Sequence, residues 1–458
     1  MMMKKTAFLL CLITLQTGTL FPQEKIWNET EDQKNQRMAW WRHDRFGMFI
    51  HWGLYALPAR HEWVKNRERM TNESYQKYFE NFNPDLYDPK EWAKMAKNAR
   101  MKYAVITSKH HEGFCLFDSK FTDYKATQTP YGKDIIREWV DAFHAEGLKI
   151  GFYYSLIDWH HPDYTIDRNH PQRTTSNEEY NRLNAGRDMN KYREYLKNQV
   201  RELLTNYGKI DILWLDFSFP GENGKGRADW DAANLLKMVR QLQPGIIVND
   251  RLDLRDVEGG WDFSTPEQVK VPEWPEYNGK KIPWETCQTF SGSWGYYRDE
   301  YTWKSPAQLL ELLIESVSKG GNLLLNVGPT GRGTFDERAQ KSLSAMGEWM
   351  DLNARSVYGC TQAPDEYAVP DHCLLTYNPD SRRLYVHLLD YPLQTLRLQG
   401  YKGKIKYAQF LHDASEIIMT DPGGAHWESG NSKADDVMLR LPVTKPGVEI
   451  PVIELIME

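Results

Sequence analysis

The chain has 458 residues, enough for two or three domains, and its 41% hydrophobic and 26% charged residues are the proportions of a folded protein, not a disordered one. A net charge of −6 argues against a nucleic-acid or anionic-membrane partner, which needs a basic face. No interior run of about 18 apolar residues occurs, so the mature chain carries no membrane span.

Residues 1–23 read as a secretory signal peptide. Lys4 and Lys5 precede the apolar run TAFLLCLITL (6–15), and polar QTGT follows. The expected location is therefore secreted or periplasmic. The cleavage pattern is poor, and lipid anchoring at Cys11 stays open. From about residue 45, short apolar runs alternate with helical patterns. Strands are expected at 46–53, 103–110, 149–156, 211–217, 246–251 and 322–329. Helices are expected at 89–100, which opens on Pro89, and at 134–147, which ends on Gly147. Further helices are expected at 190–208, 229–243, 305–321 and 336–353. Alternating βα units of this length predict an α/β fold, a (β/α)8-like barrel over 24–355 that forms the catalytic domain. No GxGxxG opens a helix after a strand, which weakens a dinucleotide-binding reading. From 356 to 458 the runs become short and strand-like, predicting an all-β sandwich. It could buttress the barrel or bind carbohydrate. Beyond the signal segment there are four cysteines and no CxxC. Cys360 and Cys373 are close enough in sequence to pair.

In such barrels the active site lies at the C-terminal ends of the strands. Those ends carry His51, His110 and His111, Tyr153 and Tyr154, Asp158, Trp214 and Asp216, and Asn249 to Arg251. The chain is also rich in aromatics, with 17 Trp and 25 Tyr, and 15 of the Trp precede residue 304. An aromatic rim with histidines and carboxylates suits a sugar, whose ring faces stack and whose hydroxyls take directed hydrogen bonds. Asp216 ends an apolar strand, where a carboxylate is either paired or functional. Glycoside cleavage needs a second carboxyl group, and Glu267, Glu285 and Asp262 are the candidates. Adjacent pairs such as His110-His111 and His160-His161 point to opposite faces of an extended strand, so they are poor metal grips, and no metal site is expected.

RFGMFIHWGLYALPA (45–59), HEW (61–63), YAVITSKHHEGFCLFDSKFTDY (103–124) and DWHHPDY (158–164) resemble the α-L-fucosidases of glycoside hydrolase family 29. LWLDF (213–217), NDR (249–251), WETCQT (284–289), SWGY (293–296) and NLLLNVGPTGRG (322–333) resemble them too. The resemblance implies an exo-acting retaining enzyme that needs no cofactor or metal and acts on fucosylated glycans. It implies Asp216 as nucleophile and Glu267, in WDFSTPEQ, as acid/base, with Glu285 as the alternative. It also implies fucose contacts at His51, Glu62, Trp63, His110, His111, Tyr154, Trp214 and Arg251, with Trp294 as a candidate wall for the sugar methyl. Two other readings stay open: a related sugar such as a galactoside, or a glycan-binding protein without activity. Linkage and oligomeric state are not readable from these residues.

Overall fold

The computed structural model describes residues 26–422 and 433–458. The expected signal peptide at 1–23 lies outside the described residues. In chain order the barrel strands begin with β1 (Phe46–Ile50), β2 (Tyr103–Lys109), β3 (Lys149–Ser155), β4 (Ile212–Asp216) and β5 (Ile247–Val248). A small separate hairpin follows, β6 (Glu276–Tyr277) and β7 (Lys280–Lys281), and then β8 (Glu285–Thr289) and β9 (Asn322–Val327). Seven of these form one parallel sheet in the order β5-β4-β3-β2-β1-β9-β8. The continuous apolar runs are explained by burial on both faces, as a parallel sheet covered by helices requires. Helices Pro89–Asn98, Ile135–Ala145, Met189–Asn206, Ala232–Leu242, Pro306–Ser318 and Glu337–Asn353 match the six expected helical stretches.

The sheet curls, and a strand-like segment fills the gap between β5 and β8. The Asp262 amide donates to Val248 O at 2.8 Å, and Ser264 N to Pro283 O at 2.9 Å. Glu285 N donates to Ser264 O at 2.9 Å, and Gln268 N to Cys287 O at 3.1 Å. This segment thus closes the ring. Pro266 lacks an N–H, so the pairing stays irregular. The strand β8 was not among those expected. Its sequence ETCQT is polar, yet all five residues are buried, because polar side chains can line a barrel interior when they are bonded there.

The barrel interior is a cluster of Phe49, Tyr103, Val105, Tyr153, Ile212, Trp214, Ile247, Phe263, Cys287 and Leu324. Met38 and Trp41 join it from helix Glu31–Asp44, which plugs the end where the strands begin. That helix starts with a capping box between Thr30 and Gln33.

The remaining strands are β10 (Thr361–Gln362), β11 (Cys373–Asn378), β12 (Arg383–Leu388), β13 (Thr395–Leu398), β14 (Ile405–Phe410), β15 (Ile418–Thr420), β16 (Val437–Arg440) and β17 (Val452–Met457). They form antiparallel sheets β10-β11-β12-β17-β14 and β13-β16-β15. Leu375, Leu384, Val386 and Leu455 of the first pack with Leu396, Leu398 and Leu439 of the second in one core. Cys360 and Cys373 are both buried and unpaired as thiols. Among the described residues no helix is long and apolar enough to cross a membrane.

Candidate active site

Alternation along β4 turns Ile212, Trp214 and Asp216 to the barrel interior. Asp216 ends the strand at the open mouth. Strand β3 runs beside it with Tyr153 opposite Trp214, so the Tyr153 hydroxyl reaches Asp216 Oδ2 and donates at 2.8 Å. Strand β5 is only two residues long. The Asn249 side chain completes its pairing by bonding both Leu215 N (3.0 Å) and Leu215 O (2.9 Å). Two residues on, Arg251 lies across the Trp214 ring, 4.5 Å from its centroid. Its Nη1 donates to Asp216 Oδ1 at 2.8 Å and its Nη2 to Glu267 Oε2 at 2.8 Å. Burial alone would lower the Arg251 pKa, but Asp216 and Glu267 more than offset it and raise it. One guanidinium therefore holds both carboxylates. Asp216 is buried, while the Glu267 side chain is 42% exposed at the rim.

These groups open into a cavity of about 450 Å³. It is lined by His51, Glu62, Trp63, His110, His111, Trp214, Asp216, Arg251, Glu267 and Trp294, all anticipated from sequence. His51 and His111 have fixed tautomers. Asn326 donates its amide to Trp294 O at 2.7 Å, so its Oδ1 accepts from His51 Nδ1 at 2.6 Å. Ser155 Oγ donates to Ile157 O, so it accepts from His111 Nδ1 at 2.8 Å. Both rings thus keep Nε2 as a free acceptor, and burial holds both well below the usual histidine pKa. Glu62 Oε2 accepts from Ser293 Oγ (3.1 Å), Trp294 N (3.1 Å) and Gly295 N (3.0 Å), which seats the SWGY turn and its indole beside His51. Trp63 packs edge-on against His111 and tilted against Phe217, giving the opposite wall.

Four placements differ from expectation or decide between candidates. First, the structure puts Tyr153 on the cavity, not Tyr154. The Tyr154 hydroxyl points outward and donates to Gln199 Oε1 at 2.8 Å in the helix layer, because adjacent strand residues face opposite sides. Tyr153→Phe should therefore lower kcat/KM about 10- to 100-fold, the worth of a hydrogen bond to a charged group. Tyr154→Phe should leave it unchanged, and steady-state kinetics on the two variants checks both.

Second, Glu285 does not line the cavity. It begins β8, two residues below the cavity-lining Cys287, and is 0% exposed. It accepts from Tyr103 at 2.5 Å and from Trp41 Nε1 at 3.3 Å. Burial pushes its carboxyl up to about 7. From about pH 4.5 to 7 the folded chain keeps a proton that the unfolded chain has released, so this group removes stability as pH rises through that window. Glu285→Gln should be neutral to melting at pH 4 and raise stability by about 2–3 kcal/mol at pH 8.

Third, Asp262 is held by Arg240 (2.6 Å) and Arg37 (2.8 Å) away from the cavity. Burial opposes its charge, but the two guanidinium groups keep its pKa below the usual carboxylate range. Fourth, Trp52 and Trp159 follow strands β1 and β3, which by sequence sets them beside the aromatic rim, yet both pack in the main core, Trp52 against Phe82, Tyr87 and Trp92. Phe49, His61, Asn66, Arg67, Phe217 and Cys287 line the cavity without having been anticipated. In and after HEW, the resemblance singles out Glu62 and Trp63 alone. Phe217 and Cys287 lie inside LWLDF and WETCQT, but nothing in those segments marks either as a cavity residue.

A strand-end carboxylate beside a second one on the neighbouring segment, at the C-terminal mouth of a barrel, is an arrangement that glycoside hydrolases use. The family model described as Alpha-L-fucosidase matches residues 14–355. The chain belongs to that family, the α-L-fucosidases of glycoside hydrolase family 29. It is similar to the alpha-L-fucosidase of Dictyostelium discoideum, 27% identical over 92% of this chain and 90% of that protein. Among solved structures it is similar to alpha-L-fucosidase isoenzyme 1 from Paenibacillus thiaminolyticus, with 47% identity, a TM-score of 0.86, and coverage of 93% of this chain and 99% of that one. It is also similar to a Bacteroides thetaiotaomicron enzyme of the family solved as a trapped covalent intermediate with 2-fluoro-fucosyl fluoride. There the identity is 29% and the TM-score 0.80, with 96% of this chain and 100% of that one covered.

Proposed function

We propose that the enzyme removes terminal α-L-fucose from fucosylated oligosaccharides or glycoconjugates with retention of configuration, by double displacement. Asp216 attacks C1 while Glu267 protonates the departing oxygen, and a fucosyl-enzyme ester forms. Glu267 then takes a proton from water, which attacks C1 and releases α-L-fucose and free Asp216. The observation that carries this reading is the single guanidinium of Arg251 bonding both carboxylates at 2.8 Å. It keeps the pair close, as a retaining separation of about 5–5.5 Å requires. One positive charge serves two carboxylates, so the trio has a net negative charge that one proton neutralises. His51, His110 and His111 offer ring nitrogens to sugar hydroxyls, and Trp294 offers an apolar face to the methyl group. A wider cleft of about 850 Å³ continues from Asp216, Phe217 and Arg251 past Phe219 and Tyr277, which supports room for the rest of a glycan. The N-terminal segment supports export as a secreted or periplasmic enzyme.

The test is hydrolysis of an aryl α-L-fucoside followed by NMR. α-L-Fucose should appear before its β anomer, and aryl galactosides should be far poorer substrates. The β anomer first, or a galactoside preference, would overturn the reading. A panel of α1-2, α1-3, α1-4 and α1-6 fucosides then fixes linkage.

A further inference from the structure

Behind the cavity wall lies a buried polar cluster that this mechanism does not use. Glu112 is 1% exposed, and neither of its carboxylate oxygens has a hydrogen-bond donor within normal geometry. A buried carboxylate without a partner is costly. Its Oε2 lies 3.4 Å from Nδ1 of His110, and that nitrogen is itself buried and has no other partner. Other groups face Glu112. Lys65 is buried and donates to Asn72 Oδ1 at 2.9 Å, and Asp158 is taken by Lys109 at 3.1 Å. The Tyr55 and Tyr75 hydroxyls are buried and unpartnered, and Tyr124 lies close by. The backbone makes room for this carboxylate. A Cβ on Gly53 would meet Glu112 Oε1 at 2.5 Å, and Gly113, at φ +85°, turns the chain directly after it. His51 and His111 each give their Nδ1 proton to a fixed acceptor, and Glu112 stands in the corresponding place behind His110.

We propose that Glu112 is a positioning residue for His110: it accepts the Nδ1 proton and so presents Nε2 to a sugar hydroxyl. The inference rests on the reading of His110 as a sugar contact. Glu112→Gln offers an amide donor in place of a carboxylate and favours the opposite tautomer. It should raise KM for an aryl α-L-fucoside and weaken inhibition by fucose about tenfold or more, with a smaller change in kcat and a displaced acidic limb of the pH profile. Glu112→Asp should restore part of the loss. In the double-mutant cycle, Glu112→Gln should add nothing once His110→Ala is present. Additive losses, or unchanged KM and pH profile in Glu112→Gln, overturn the proposal. Should that variant not fold, 15N-histidine NMR of the unaltered enzyme decides: His110 protonated on Nδ1 supports the assignment, and a proton on Nε2 alone overturns it. If His110→Ala hydrolyses like the parent, the reading of His110 as a sugar contact fails. A wrong tautomer beside a His110→Ala that does lose activity sinks only the role of Glu112.

Discussion

Asp216→Ala should lower kcat on aryl α-L-fucosides by about 10,000-fold or more, the scale on which removing a covalent nucleophile acts. The barrel should stay folded. Arg251 keeps Glu267 at 2.8 Å and Thr265 at 2.9 Å, while the Tyr153 hydroxyl, the Phe217 amide and Arg251 Nη1 lose Asp216 as their acceptor. Each buried donor left without its partner costs about 1–3 kcal/mol, less where water entering the vacated space takes the place of the carboxylate. The variant also frees the space of the carboxylate beside C1. Azide is a small anion that fits there, approaches from the face that Asp216 used, and expels the α-linked leaving group with inversion. Added azide should therefore restore turnover in part and yield β-L-fucosyl azide. A parental kcat, or an α-L-fucosyl azide product, would place the nucleophile elsewhere.

Glu267→Ala should give the complementary pattern. For a natural glycan, whose leaving oxygen must be protonated, kcat/KM should fall about 100- to 10,000-fold, the usual worth of general acid–base catalysis. An activated aryl fucoside needs little protonation and should keep its first step. Its fucosyl-enzyme then accumulates, because no base activates water. Asp216 still occupies its own face, so azide takes the place of water and gives α-L-fucosyl azide with retained configuration. The two variants should thus yield azides of opposite configuration from one substrate. If Glu285→Ala behaves this way instead, the acid lies at the barrel floor and the assignment to Glu267 is wrong. Arg251 makes both experiments interpretable, since either carboxylate remains bonded to it when the other is removed.

Much of the barrel was legible because six of the seven parallel strands are short apolar runs that stop at a polar group. That rule located His51, His110, Trp214, Asp216 and Arg251 at one rim. The strand β8 was missed because ETCQT has no apolar run; its burial comes from lining the barrel, which no local window reveals. Helix Glu31–Asp44 did leave a signal, the Thr30–Gln33 capping box, and its plugging role depends on Trp41 meeting residues more than 200 positions away. The tryptophan excess divided in a way that composition cannot predict. Trp63, Trp214 and Trp294 face the cavity, while Trp52, Trp92 and Trp159 fill the core.

The sequence by itself determined the architecture and most of the residues at the rim, because strand ends in a parallel barrel all converge at one mouth. Tertiary structure alone decided which neighbour faces inward and which glutamate reaches the mouth. Strands buried on both faces carry no polar alternation to set their phase, so Tyr153 and Tyr154 look alike until β3 pairs with β4 in register. Glu267 and Glu285 are separated only by height. The pairing of Glu267 with Cys287 sets Glu267 level with a cavity-lining residue and leaves Glu285 one pleat below it, sealed against Tyr103 and Trp41.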